Sequence, residues 1–193
     1  MKAFLAELRR ALDGGPRRER PPPAPVAAET SLDERIEMFR HALKRERGQF
    51  VEVDSYAEAD RVVAGLGDGE IVSFDAEPDA DSIRRAAVGV DRADALIAET
   101  GTVVRSYASA AASRISLLPA ISVFLASTDR LFGTLPEALA MIEERHRSGP
   151  AYTLLVTGPS RTADIEKQLV IPAHGPRELV VVLCHAQRDR YTR

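Results

Sequence analysis

The chain has 193 residues, a length that suits one domain with an appendage and that can bury a core without staples. Its 26 basic and 29 acidic residues leave a formal charge of −3, so the balance gives no support to a nucleic-acid surface. A single cysteine, Cys184, excludes an intrachain disulfide, and it cannot hold an iron–sulfur cluster, which takes about four ligands.

The four histidines have no zinc-like spacing, so no metal is expected on this chain. No apolar run reaches the roughly 18 residues that would suggest a transmembrane helix. The opening "MKAFLAELRRAL" carries Glu7 and no cleavage-like tail, so it does not read as a signal peptide. A cytoplasmic location is expected.

Taken in chain order, residues 2–12 read as a short helix, with Phe4, Leu5, Leu8 and Leu12 at helical spacing. "GGPRRERPPPAP" follows, and three consecutive prolines favour an extended linker. The expected organisation is an N-terminal arm at 1–13, a proline-rich linker at 14–29 and one domain at 30–193. "SLDERIEMFRHALKRER" restarts order as a helix. Ser31 and Glu34 form a capping-box pattern ahead of a stripe of Leu32, Ile36, Phe39 and Leu43. The basic cluster Lys44, Arg45 and Arg47 reads as a solvated face.

"QFVEVD" alternates as a strand. "SYAEADRVVAGL" repeats the capping device with Ser55 and Glu58. "EIVSF" is a further strand, and "AAVGVDRADALIAETGTVVRSY" holds two or three more. "AISVFLA" reads as buried, "LPEALAMIEERHR" as a helix with Pro136 in its first turn, and "AYTLLVTG" and "ELVVVLCH" as strands. This alternation predicts an α/β fold with a mixed, mostly parallel sheet flanked by helices. One break is expected: Thr100 and Gly101 separate "DALIAE" from "TVVRSY" and predict an antiparallel hairpin.

Four segments carry candidate chemistry. In "TGPSRTADIEKQLV", Thr157 to Ser160 are expected at the carboxyl end of a strand, where ligands bind in open α/β sheets. Gly158, Pro159, Ser160, Arg161, Thr162 and Asp164 are the candidates there. Ser160 and Thr162 supply hydroxyls, Arg161 can grip a carboxylate or phosphate, and Asp164 can orient it. Alternatively, Ser160 and Thr162 only cap a helix. The segment is neither a Walker loop nor a dinucleotide fingerprint.

In "ADALIAETGTVVRS", Glu99 sits at the lip of a turn beside Thr100, Gly101 and Thr102, as a base, a nucleophile or a solvated carboxylate. In "HGP", His174 is a candidate acid or base. In "SRISLLP", Arg114 and Ser116 precede a buried strand, with solvated loop residues as the default reading.

Together, "ADALIAETGTVV", "SRISLLP", "TGPSRTADIE" and "HGP" occur in the order and spacing of the LUD domain family, and residues 30–185 resemble it. The resemblance implies a fold similar to the NagB/RpiA/CoA-transferase group. It also implies a part in oxidising L-lactate to pyruvate, beside partner proteins that carry iron–sulfur clusters. No cofactor is then expected on this chain. The resemblance places Glu99 and His174 as proton-moving or catalytic residues. Thr100, Gly101, Thr102, Arg114 and the glycine–proline–hydroxyl segment become ligand contacts.

Two departures stand out. Family members usually have a histidine in a P-x-x-H-I pattern where this chain has Pro119, Ala120, Ile121 and Ser122. Ile171, Pro172 and Ala173 stand before "HGP" where a glycine is usual. Two other functional classes remain open. One is a stand-alone enzyme handling an acyl or phosphorylated small molecule, with Glu99 as nucleophile. The other is a scaffold subunit without chemistry.

Overall fold

Ser31 opens the first helix with both halves of the expected capping box. Its hydroxyl accepts from the Glu34 N–H, and the Glu34 carboxylate accepts from the Ser31 N–H at 2.8 Å. The computed structural model describes residues 30–145, 152–159 and 175–185. The expected arm and linker, and Ser160, Arg161, Thr162, Asp164 and His174, lie outside the described residues.

This helix, α1 (Leu32–Arg45), buries Ile36, Phe39, Ala42 and Leu43. Leu32 stays 43% exposed, so the apolar stripe begins one turn later than its pattern suggests. The helix ends in a Schellman motif. Arg47 takes the left-handed conformation, its N–H donates to the Lys44 carbonyl, and Gly48 donates to the Leu43 carbonyl.

Next come β1 (Gln49–Val53) and α2 (Tyr56–Ala64). Ser55 caps α2, but the Glu58 carboxylate accepts from the Asp54 N–H at 3.1 Å, which shifts the second half of the expected box by one residue. After β2 (Ile71–Ser73) the chain forms a short 3₁₀ turn, Phe74–Ala76, and α3 (Ala80–Arg85), capped by Asp79. The long run that follows holds three strands: β3 (Val88–Arg92), β4 (Ala95–Ile97) and β5 (Thr102–Tyr107). Then come α4 (Arg114–Leu117), β6 (Ile121–Ser127), β7 (Leu131–Phe132), α5 (Leu135–Arg145), β8 (Tyr152–Val156) and β9 (Glu178–Cys184).

The strands divide between two sheets. Five run parallel in the order β1-β9-β6-β3-β2, and four form a mixed sheet in the order β7-β4-β5-β8. The expected hairpin is there: Ala95 pairs with Val104 and Ile97 with Thr102, antiparallel, around Gly101 at φ 65°. The mostly parallel, helix-flanked architecture therefore holds, with the antiparallel element gathered into a sheet of its own.

Thr157 follows the carboxyl end of β8, as expected, but the sheet around that end differs from the expected one. β8 is antiparallel to β5 at the edge of the mixed sheet, so Thr157 does not lie at a parallel sheet's carboxyl edge. Strand composition signals that a strand exists, but its partner is fixed by long-range packing.

Between the sheets lies the largest core. Phe39 and Leu43 of α1 pack with Leu96 and Val103 of the mixed sheet and with Phe124, Val181 and Leu183 of the parallel sheet. Val63 of α2 covers the opposite face of the parallel sheet against Val90, Val123 and Val182. Ala138 and Ile142 of α5 cover the outer face of the mixed sheet. Cys184 is buried in β9, as its apolar setting predicts.

Candidate functional site

Two of the chemistry-bearing segments meet where α1 ends. Gly101 has φ 65°, and a side chain there would meet the Leu43 backbone nitrogen at 2.4 Å. Gly158 has φ 102°, and a side chain there would meet the Glu46 carbonyl at 2.5 Å. Both positions need glycine for conformation and for contact with the same helix end. Beside them the hydroxyls of Thr100 and Thr102 lie 2.7 Å apart, and those of Thr102 and Thr157 also 2.7 Å apart. This three-hydroxyl chain ties the hairpin turn to the end of β8.

Thr157 and Gly158 also line a cleft of about 490 Å³. Opposite them stand Gly175 and Pro176, the described part of "HGP", and Ser116 and Ser122 close it. Leu118 and Leu155 sit on its rim, 47% and 50% exposed. Ser122 follows Ile121 at the start of β6 and is 1% exposed, yet its Oγ has no hydrogen-bond partner among the described residues. A buried hydroxyl left unpaired costs about 1–3 kcal/mol, so one on a cleft-lining residue marks the cleft as a candidate site.

Ser116 has a second role. It starts from α4, not from the expected solvated loop, and is buried. Its Oγ donates to Asp91 Oδ2 at 2.8 Å, and Tyr107 Oη donates to the same oxygen at 2.7 Å. Arg105 Nε donates to Asp91 Oδ1 at 2.9 Å. Asp91 is wholly buried, as an ion pair with its acceptor oxygens filled. Burial, and then the Asp91 charge, push the Tyr107 phenol far up, so it stays protonated and donates. Burial works against the Arg105 charge, but Asp91 and Asp94 outweigh it and hold the guanidinium pKa above its ordinary value.

The remaining candidates fall elsewhere. Glu99 does not line the cleft. Its Oε1 accepts from the Leu135 N–H at 2.8 Å, at the start of α5, where a carboxylate also meets the positive end of the helix dipole. Arg114 is exposed and lines a separate cavity. Pro159 is buried directly after Gly158. No cluster of three or more histidine, cysteine or acidic side chains suited to a metal occurs among the described residues. No helix among them is long and apolar enough to cross a membrane.

A sequence profile of the LUD domain matches residues 25–184. The chain belongs to the LUD domain family. The lactate utilization protein C of Anoxybacillus flavithermus is 31% identical to this LUD domain, over 91% of this chain and 95% of that protein. Its counterpart in Bacillus velezensis is 34% identical over 57% of this chain and 48% of the relative. For relatives of the same name in Geobacillus, Oceanobacillus iheyensis and Bacillus mycoides, the chain spans about half of their length. The crystal structure of a DUF162 family protein from Deinococcus radiodurans superposes with a TM-score of 0.60 at 18% identity, over 81% of this LUD domain and 99% of that chain. That likeness concerns the fold.

Proposed function

We propose that this LUD domain is a component of a lactate utilization system, and that the Ser122 cleft holds the small carboxylate it acts on. The observation that carries the placement is the buried Ser122 hydroxyl, unpaired among the described residues, on a residue that lines the same cleft as Thr157, Gly158 and Gly175. Relatives named lactate utilization protein C support the choice of acid.

In this reading, the carboxylate is gripped by Arg161 and by backbone N–H groups near Gly158, and the hydroxyl or keto oxygen meets Ser122. Ser160, Thr162 and Asp164 complete the grip, and His174 moves the proton. Oxidation of L-lactate to pyruvate releases two electrons and two protons. The electrons pass to iron–sulfur clusters in partner proteins, a division that suits a chain whose one cysteine cannot hold a cluster.

Glu99 suits a capping role better than nucleophilic attack, since its carboxylate is engaged at Leu135. That weighs against the acyl-transfer reading. Acyl-CoA incubation followed by mass spectrometry should leave Glu99 unmodified.

The experiment is a tagged pull-down from lactate-grown cells, with lactate-dependent dye reduction measured on the eluate and on the purified chain. Activity is expected only in an eluate that contains iron–sulfur partners, and Arg161→Ala should remove most of it. An active eluate without such partners, or unchanged activity in Arg161→Ala, contradicts the reading.

A further inference from the structure

Across the Ser116 wall lies a second cavity, of about 420 Å³, lined by Phe74, Pro78, Ile83, Arg105, Tyr107 and Arg114 among others. Its size falls in the range of small-molecule sites, and so does its make-up of apolar walls with a few fixed polar groups.

The polar floor is already ordered. Arg105 spends Nε on Asp91 at 2.9 Å and Nη1 on Asp94 at 3.4 Å. Nη2 takes part in no hydrogen bond among the described residues, and Arg105 lines the cavity, so the floor carries an ordered, planar guanidinium with donor capacity left. Around the floor the carboxylates of Asp91, Asp94 and Asp75 offset the charges of Arg105 and nearby Arg92, with no excess of positive charge. A ligand therefore gains from a hydrogen-bond acceptor more than from a charge.

The walls favour a flat ring. Arg92 stacks on Phe74, 4.4 Å from its centroid, which steadies that ring, and Ile115 packs alongside. At the mouth, Glu77 is held in the left-handed conformation, φ 45°, directly before Pro78. The residue before a proline is pushed toward extended conformations, so this rim is strained, as rims of binding sites often are.

We propose that this cavity is a second ligand site, distinct from the Ser122 cleft, for a planar ring bearing a carbonyl acceptor that Arg105 meets on the cavity floor. The ring lies against Phe74, and a substituent leaves past Arg114.

The test is amide NMR of the full chain titrated with benzamide, nicotinamide and uridine, and with cyclohexanecarboxamide, which keeps the carbonyl and loses the flat ring. At least one of the three planar probes should shift the amides of Phe74, Glu77 and Arg105, and should bind about tenfold tighter than the saturated amide. Ala112→Phe fills the cavity from an exposed lining position and should abolish these shifts. Ala108→Phe, exposed and outside the lining, should leave them intact. If Ala112→Phe does not fold, Ala111→Phe fills the same space. Absence of shifts with all three planar probes, equal binding of the saturated amide, or unchanged binding in the filled variant overturns the proposal.

Discussion

Ser122 and Asp91 are both buried polar groups on the parallel sheet, and they meet opposite fates. Asp91 is fully served by Arg105, Tyr107, Ser116 and the Arg92 N–H. Ser122 has no partner among the described residues. Removing one side of a buried ion pair costs about 3–5 kcal/mol, so Arg105→Leu should destabilise the fold by that amount in urea titration. Ser122→Ala should do the reverse. It relieves an unpaired hydroxyl and should leave stability equal or raise it by about 1 kcal/mol. The same change should weaken lactate or pyruvate binding about tenfold in calorimetry, the effect of one lost hydrogen bond. Unchanged binding would remove Ser122 from the site. Gly158→Ala should cost about 1–3 kcal/mol in thermal unfolding, because its backbone angle and the Glu46 carbonyl both exclude a side chain.

At the scale of elements, local chemistry decides the ends and long-range packing decides the neighbours. The Ser31–Glu34 box holds the Glu34 carboxyl below its ordinary value, through the Ser31 backbone and then its hydroxyl. A depressed carboxyl contributes stability above its ordinary value near 4.5, and that contribution is lost as pH falls through the lowered value. Side-chain NMR should find Glu34 titrating below the usual range, and Ser31→Ala, which keeps the Ser31 backbone N–H and removes only the hydroxyl, should bring it part of the way back while costing about 1 kcal/mol.

Such devices were legible in the sequence: the capping residues, the Thr100–Gly101 turn and the alternation of strands and helices all appear where their chemistry predicts. What was not legible follows from physics as well. α4 has only four residues, and β7 two, too few to display a period. The Asp91–Arg105 pair joins strands of two different sheets, so no local pattern announces it. Its one sequence trace is an aspartate inside the apolar run "AVGVD".

For the whole molecule, the two sheets and the α1 wedge bring distant segments to one place. The Ser122 cleft draws on α4, β6, the end of β8 and the start of β9. Three of the four motifs that mark the family in sequence converge there, through Ser116, Thr157, Gly158, Gly175 and Pro176, whereas Glu99 turns to α5 and Arg114 opens on the second cavity. A motif is therefore a guide to the fold as much as to the site.

The role proposed for this LUD domain is in lactate utilization. Its most direct test is growth on L-lactate as sole carbon source, compared with growth on glucose, for a strain lacking this chain and for the same strain with the chain restored. Deletion should stop growth on lactate alone, and the restored chain should recover it. Undiminished growth of the deletion strain on lactate would contradict that role.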